Sequence, residues 1–503
     1  MNNLLPLPVL LPMLGAALTL LVGRRPRLQR AISISILVTV VGVVGLLAFL
    51  SHTRGVQTLW LGDWPGTAGI VLVADRLAAL MLLVASLVAL GVLVFSAGQD
   101  EDEVRHETPV SIFHPTFLLL CAGVSDSFLA GDLFNLFVGF EILLFASYVL
   151  LTMGATRPRI RAATIYVVIN VVSSSLFLIL LGTVYSATGT VNMAQLAQRM
   201  DTLPGDLQVV IQALMLTVFG IKAAMFPLSA WLPDSYPTAP APVTAVFAGL
   251  LTKVGVYAIL RTQTLIFSHR PLGELLMVIA ALTMLVGIMG AIAQSELKRM
   301  LSFTLVSHIG FMLWGIGLGT IDGLTATIYY TSHHITIQTA LFLVVALVGR
   351  MAGSTSLDRI GGLVTLSPLL ATLFFVPAMN LSGIPPMSGF IGKLGLVQAS
   401  LRAGGWLGWV LVAVGIITSL LTLYAIAKAW NRAFWGEVAT VTGDESLPGE
   451  TGTMPAVMVW AAVGLIAMSL LLTVLAGPLY DYCQQAAIAL TDGDYARAVL
   501  EGR

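Results

Sequence analysis

The sequence predicts an all-α polytopic membrane protein with about 14 transmembrane helices. Of its 503 residues, 57% are hydrophobic and only 10% are charged. About a quarter of the residues in soluble domains are charged. This chain has too few charged residues for a surface that faces water. Its formal net charge of +0 leaves no positive field for nucleic acid. These values exclude a soluble enzyme, a nucleic-acid-binding protein and a disordered scaffold.

Fourteen stretches are long and apolar enough to cross the bilayer as helices, at about 20 residues each. In chain order, spans 1 to 14 are 4–22, 31–51, 72–97, 112–130, 132–153, 162–186, 207–235, 242–262, 271–294, 300–319, 323–349, 367–400, 406–434 and 455–477. Span 1 has no charged region before it and arginines after it, so we interpret it as a retained anchor. Spans 7 and 12 are overlong and contain prolines, which predicts broken helices.

The basic residues between the spans predict the orientation of the chain. Loops on one side of the membrane hold 14 Lys and Arg residues, and those on the other side hold 8. Because cytoplasmic loops are enriched in Lys and Arg, the side with more of them is predicted to be cytoplasmic. An even number of spans then places both termini outside, in a multi-pass protein of the cell membrane.

The three remaining basic residues, Lys222, Lys253 and Lys393, fall inside apolar spans. A charge near the bilayer centre costs at least ~2.5–3.5 kcal/mol on insertion scales, so each is a hypothesis for a functional site. Lys222 and Lys393 both lie beside proline breaks, which transporters use as ion sites. Pro227 is predicted to break its helix one turn past Lys222. One such break alone is explained by a packing kink, but two breaks with a lysine each favour a function.

Glu141 is the acidic member of this set, and apolar residues surround it in span 5. It is the predicted partner of Lys222, because a buried ammonium group needs an opposite charge. The alternative is a protonated carboxyl that only packs helices together. His308 in span 10 and the pair His333 and His334 in span 11 add groups that titrate near neutral pH. Together these residues form a row across the middle of the bilayer that suits proton transfer through side chains and water.

The spacing of these groups predicts an internal repeat. Glu141 and Lys222 are 81 residues apart, and His308 and Lys393 are 85 apart. Spans 4–8 and 9–13 therefore form two copies of a five-helix unit, which are inverted because five is an odd number. The predicted segments are an N-terminal three-helix segment (1–110), a first repeat (111–265), a second repeat (266–434) and a C-terminal region with a loop, the last helix and an outward tail (435–503).

The sequence contains no motif for a cofactor, a metal or an enzyme active site. It has no Walker loop, and Cys121 and Cys483 are too few for a disulfide framework, a zinc ribbon or an iron–sulfur cluster. No Ser/His/Asp or Cys/His set with suitable flanks appears. The prediction is therefore a secondary transporter subunit without a cofactor rather than an enzyme.

Four runs of the sequence resemble a known family of antiporter-like subunits. The runs are Phe134-Asn-Leu-Phe-Val-Gly-Phe-Glu141, 226–240, 295–310 and 383–390. The family is shared by the proton-pumping subunits of respiratory complex I and the Mrp multisubunit cation/proton antiporters, and the resemblance covers nearly the whole chain. The first run, and the run at 250–257, resemble Mrp D subunits more than complex I subunits.

This resemblance implies fourteen helices with breaks in the seventh and twelfth, and a Glu141–Lys222 pair. It implies a relay through Lys253 and the histidines to a terminal lysine at Lys393. The implied partners are the other subunits of an Mrp-type complex (a large A-type subunit and small membrane subunits), the lipid bilayer, protons and monovalent cations. One position departs from the pattern, because Gln338 stands where several relatives place a lysine.

The sequence thus predicts a membrane subunit of a multisubunit cation/proton antiporter, with Na+ as the expected cation. Sodium prefers oxygen ligands, and three buried lysines disfavour it, so the proton path is better supported than a cation path. One alternative is a proton-pumping subunit of complex I or of a membrane-bound hydrogenase. Another is a structural subunit whose buried charges only specify helix packing.

Overall fold

A computed structural model describes residues 2–64, 69–99, 109–267, 272–437 and 453–501. Three arginines counted in the orientation prediction, Arg105, Arg270 and Arg503, lie outside the described residues. The same holds for 438–452, which belongs to the predicted C-terminal region.

The described chain is almost entirely helical. Its helices are α1 (Leu7–Leu21), α2 (Pro26–Arg54), α3 (Arg76–Ser96), α4 (Val110–Leu129), α5 (Leu133–Thr152), α6 (Arg157–Thr188), α7 (Met193–Arg199), α8 (Gly205–Ala223), α9 (Leu232–Ser235), α10 (Ala241–Val246), α11 (Thr252–Leu265), α12 (Gly273–Ile292), α13 (Leu297–Leu318), α14 (Ile321–Ala352), α15 (Leu363–Leu366), α16 (Pro368–Ser382), α17 (Ser388–Ala403), α18 (Trp406–Trp430), α19 (Ala456–Val474), α20 (Ala476–Thr491) and α21 (Asp494–Glu501). A π-helical turn, Phe247–Leu251, joins α10 to α11, and a second one, Asn431–Trp435, follows α18. Strands β1 (Gln57–Trp60) and β2 (Val71–Ala74) form an antiparallel hairpin.

The helices match the predicted spans in order. Within the described ranges, 12 helical stretches are long and apolar enough to cross a membrane, and α1 and α16 are two shorter apolar helices. The predicted class, an all-α polytopic membrane protein, is confirmed. The predicted start of span 3 is wrong, because its first residues pair with β1 instead of extending α3. The side chain of Asp75 caps α3 by accepting a hydrogen bond from the Ala78 N–H at 2.8 Å.

Helix α8 breaks earlier than predicted, at Ala223 rather than one turn past Lys222. Pro227 has no N–H, and its ring would collide with the Ala223 carbonyl in a continued helix. Ala224 therefore adopts a left-handed conformation (φ 58°). The Ile221 carbonyl at the end of α8 accepts two hydrogen bonds, from the Ala224 N–H at 3.2 Å and from the Trp231 indole at 3.2 Å.

The second break separates α16 from α17, and its lysine lies on the opposite side of the break. Lys222 belongs to the last turn of α8, whereas Lys393 comes after the break, in α17. The Lys393 Nζ nevertheless reaches back to the Ser382 carbonyl at 3.1 Å and the Leu381 carbonyl at 3.3 Å. The Lys393 ammonium group thus lies at the C-terminal end of the first half-helix, and Lys222 belongs to the last turn of α8, where the helix dipole favours positive charge.

Contacts between loops agree with the predicted alternation of sides. On the predicted cytoplasmic side, the contacts include Arg299–Asp234 (2.8 Å), Arg432–Asp358 (3.0 Å), Arg159 to the Thr238 carbonyl (2.8 Å) and Lys428 to the Ile292 carbonyl (2.8 Å). On the predicted outer side they include Arg402–Asp322 (2.8 Å) and Tyr482 to the Arg76 carbonyl (3.2 Å). Each contact joins loops that were assigned to one side.

Only one of the three predicted segment boundaries coincides with the end of a helix. The boundary at 265/266 coincides with the end of α11, but the boundary at 434/435 cuts the π-helical turn and that at 110/111 cuts the start of α4. The division into two inverted five-helix copies stays a prediction.

The core centres on α14, which is buried along most of its length and packs against α3, α13, α16, α17, α19 and α20.

Candidate functional site

The first end of the site joins Glu141 to Lys222 through a serine. Helix α5 carries Glu141 and begins where the Asp132 side chain caps it by accepting from the Asn135 N–H at 2.7 Å. The Ser174 hydroxyl of α6 donates to Glu141 Oε1 and accepts from Lys222 Nζ at 3.2 Å. Among the described residues no direct ion pair joins Glu141 and Lys222, so the predicted pair is bridged by a hydroxyl.

Lys253 lies next to this cluster on α11 and is fully buried. Its Nζ donates to the Ala248 carbonyl at 2.5 Å. That carbonyl belongs to the π-helical turn before α11, and such turns often mark functional sites. Helix α11 also touches the break of α8, since a Cβ on Gly255 would lie 2.6 Å from the Ala223 nitrogen and 2.8 Å from the Lys222 carbonyl carbon. The two lysine-bearing segments are therefore in backbone contact.

Three buried histidines surround Tyr330 in the middle of the molecule. The Tyr330 hydroxyl and His308 Nδ1 are 3.1 Å apart. The rings of His308 and His334 have centroids 5.1 Å apart, and those of Tyr330 and His333 are 5.5 Å apart. Helices α13 and α14 thus bring the three histidines together.

Several polar atoms in this cluster have no hydrogen-bond partner within the described chain. They are His308 Nε2, His333 Nε2, both ring nitrogens of His334 and Gln338 Oε1. Buried polar atoms are nearly always paired with protein or water. Gln338 lies one helical turn from His334, and its Nε2 donates to the Leu301 carbonyl at 2.8 Å. The interior is therefore polar around Gln338, the position at which the family resemblance implied a lysine.

The far end of the site runs from His333 to Lys393. The His333 Nδ1 and the Ser388 hydroxyl are 2.9 Å apart, and Asn380 Nδ2 lies 3.2 Å from the same hydroxyl. The Lys393 ammonium group lies 5.0 Å from the centre of the Phe311 ring. It lines a mainly apolar cavity of about 420 Å³ next to the break between α16 and α17.

The seven predicted residues lie in three groups, which are Glu141, Lys222 and Lys253, then His308, His333 and His334, and finally Lys393. Sequence reasoning missed Ser174 and Tyr330, which link members within the first and second groups. The serine had a visible signal, because Ser173, Ser174 and Ser175 interrupt an otherwise apolar span. The tyrosine had none, because buried tyrosines are common in helical cores.

A buried ion pair, Arg261–Asp75, lies apart from these three groups. Arg261, counted as an outer loop residue, is buried in α11 and forms two hydrogen bonds to Asp75, at 2.6 and 2.7 Å. Its guanidinium group lies between the rings of Tyr257 (5.3 Å) and Tyr495 (4.8 Å). Burial alone would raise the pKa of Asp75, but the Arg261 charge and the hydrogen bonds outweigh burial and hold that pKa below its usual value. The pair fastens α3, α11 and the C-terminal helix α21 together.

The fold and the buried row of titratable groups define the class of polytopic ion-transport subunits. The family described as NADH:quinone oxidoreductase/Mrp antiporter, TM, matches residues 130–422. The chain is 40% identical to the Na+/H+ antiporter D subunit of Alkalihalophilus pseudofirmus and 36% identical to that of Bacillus subtilis, in each case over 100% of both chains. The chain therefore belongs to the NADH:quinone oxidoreductase/Mrp antiporter family, among its Na+/H+ antiporter D subunits. The predicted resemblance is confirmed.

Two solved structures share the fold. A chain of the Mrp complex from Dietzia sp. DQ12-45-1b superposes with a TM-score of 0.90 at 32% identity, over 99% of this chain and 100% of that one. A chain of the membrane-bound sulfane sulfur reductase, an archaeal respiratory membrane complex, gives a TM-score of 0.88 at 25% identity with the same coverage.

Proposed function

We propose that this chain is a membrane subunit of a multisubunit Na+/H+ antiporter and moves protons along the buried row from Glu141 to Lys393. The observation that carries the proposal is that buried polar contacts join Glu141 to Lys222 through Ser174, His308 to Tyr330, and His333 to Ser388 near the second break. Its D-subunit relatives are named as Na+/H+ antiporter subunits.

The cluster of Glu141, Ser174 and Lys222 forms the proton entry. While Glu141 is ionised, the serine hydroxyl points to it and offers its oxygen to the lysine. A proton that arrives on Glu141 removes the negative charge that holds the Lys222 ammonium in place. Lys222 is then free to pass a proton toward Lys253, because the packing of α11 on the end of α8 keeps the two segments close.

The histidine cluster relays the proton through the centre. A neutral imidazole accepts a proton on one ring nitrogen and releases one from the other. The unpaired ring nitrogens of His308, His333 and His334 are the groups that bridging water would contact. From His333 the route continues through Ser388 to Lys393 at the second break.

The proton gradient supplies the free energy for moving the cation. Inward movement of one charge through 100 mV releases about 2.3 kcal/mol, which can drive a cation outward. Within the described residues the row contains no cluster of carboxylates suited to a cation, so we place the cation path partly in neighbouring subunits. These are the other subunits of an Mrp-type complex, a large A-type subunit and small membrane subunits. The protein then lies in the cell membrane with both termini outside.

One observation favours a second candidate, a subunit of a respiratory complex, because an archaeal respiratory membrane complex contains a chain of the same fold. Cation-dependent proton flux in everted vesicles that contain the full complex separates the two. The wild type is compared with Glu141→Ala, Lys222→Ala and the control Glu274→Ala, which alters an exposed acid.

A flux that responds to Na+ without an electron donor supports the antiporter. Glu141→Ala and Lys222→Ala must abolish this flux in assembled complex, whereas Glu274→Ala must leave it intact. Flux that appears only with electron transfer to a quinone supports the respiratory subunit. Full activity of assembled Lys222→Ala would contradict both candidate functions. The buried charges would then have only a structural role in helix packing.

A further inference from the structure

A cavity with both polar and apolar lining residues lies at the predicted cytoplasmic end of α6, away from the proposed proton route. It has a volume of about 530 Å³ and is open on one side. Arg157 and Arg161 line it from the first turns of α6, and Asp234 and Thr238 line it from the segment around α9. Ile165, one turn further along α6 from Arg161, also lines it.

The charge of this cavity is positive. Arg157 and Arg161 are exposed, and neither forms an ion pair or hydrogen bond within the described residues. The acidic lining residue, Asp234, is paired with Arg299 at 2.8 Å. Two guanidinium groups therefore face the cavity without a counter-charge, and guanidinium binds phosphate oxygens in a forked geometry.

Below the arginines, α6 presents an apolar stripe. Ile165, Val168 and Val172 are 40%, 56% and 52% exposed. With Arg161 they are spaced by four, three and four residues, which places all of them on one face of the helix. From Arg161 to Val172 the helix rises roughly 16 Å, which is close to half of a hydrocarbon core of about 30 Å.

We propose that this cavity and stripe bind an anionic phospholipid. Arg157 and Arg161 hold the phosphodiester group, and one acyl chain lies along Ile165, Val168 and Val172. Basic pockets at the cytoplasmic ends of helices bind such headgroups. Charge complementarity, the headgroup-to-chain geometry and the length of one leaflet all point to lipid rather than to a protein partner.

The site has a consequence for the proton route, because α6 also carries Ser174. Thirteen residues, or roughly 20 Å of helix, separate Arg161 from that serine. A lipid seated on α6 holds the helix that bridges Glu141 and Lys222.

The test uses the purified full complex, stripped of lipid in detergent. Bound 1-palmitoyl-2-oleoyl-phosphatidylglycerol is measured by native mass spectrometry, against the phosphatidylcholine of the same chains and against inorganic phosphate. The variants are Arg157→Gln/Arg161→Gln and the charge-retaining Arg157→Lys/Arg161→Lys. The matched control is Arg24→Gln/Arg27→Gln, which removes two exposed arginines from another loop of the same predicted side.

The proposal expects phosphatidylglycerol to bind in preference to phosphatidylcholine. It expects the glutamine pair to weaken the affinity for one phosphatidylglycerol about tenfold, while the lysine pair and the control retain it. Unchanged binding in the glutamine pair overturns the site. Equal occupancy by inorganic phosphate overturns the lipid assignment. The lipid assignment is also overturned if a membrane-soluble maleimide fails to label the thiol of Val168→Cys in the complex. That result would mean that a neighbouring subunit covers the apolar stripe.

Discussion

The hydroxyl of Ser174 determines how the charges of Glu141 and Lys222 meet. We expect Ser174→Ala to lower cation-dependent proton flux about tenfold, because a hydrogen bond to a charged group contributes about 1.5–3 kcal/mol. Ser175→Ala is the matched control, since that neighbour is exposed and bonds only to the Val171 carbonyl at 3.0 Å. Equal flux in the two variants would mean that the bridge has no part in transport.

The buried Arg261–Asp75 pair allows a second test at the level of single residues. Asp75→Asn leaves a buried guanidinium without its counter-charge, which costs about 3–5 kcal/mol. Asp322→Asn breaks the exposed pair with Arg402, where the side chains are 36% and 69% accessible, and should cost about 0–1 kcal/mol. Thermal unfolding in detergent measures both, and similar losses would contradict the difference in burial.

The pH dependence of the Arg261–Asp75 pair follows from its sign. The folded pKa of Asp75 lies below the ordinary carboxyl value of 3.8. Its contribution to stability is therefore complete above that value and is lost only as the pH falls through the folded pKa. We expect the difference in melting temperature between wild type and Asp75→Asn to stay constant from about pH 6 to about pH 9, a range that thermal unfolding covers directly.

At the scale of helices, the contact between α8 and α11 depends on a residue without a side chain. A Cβ at Gly255 would meet backbone atoms of α8, which cannot rotate away. We expect Gly255→Ala to cost about 1–3 kcal/mol of stability and to lower proton flux, because it separates the segments of Lys222 and Lys253. Gly464→Ala is the control, because nothing lies within 4 Å of its added Cβ. Wild-type flux and melting temperature in Gly255→Ala would show that the contact adapts.

Helices were predictable from the sequence to the extent that their signal is local. A run of about 20 apolar residues identifies a span without knowledge of its neighbours. The hairpin was missed because Val71–Ala74 is as apolar as the helix that follows, and hydropathy does not separate a strand from a helix. Arg261 was misplaced because its partner, Asp75, lies 186 residues away in the sequence. The same limit hid the Ser174 bridge, whose two partners come from separate helices.

At the scale of the whole molecule, the proposed orientation can be tested with thiols. Arg24→Cys and Arg402→Cys lie on opposite predicted sides and are both exposed. A membrane-impermeant maleimide should label the thiol at position 24 only in everted vesicles and the one at position 402 only in right-side-out vesicles. The native thiols, Cys121 and Cys483, are buried, so the parent chain serves as the unlabelled control. The reverse pattern would place both termini in the cytoplasm.

The depth of the row has an electrical consequence. Glu141 and His308 lie near the middle of α5 and α13, and Lys222 and Lys393 lie at the breaks of their helices. Along the proposed route, a proton passes between them at nearly constant depth in the membrane, and therefore at nearly constant potential. The transmembrane voltage therefore does almost no work on those steps. It acts only on the steps that carry a proton between the row and each membrane surface. Substitutions inside the row should therefore change the rate of proton flux by the same factor at every voltage. Substitutions between the row and a membrane surface should instead change how steeply the rate of proton flux depends on voltage.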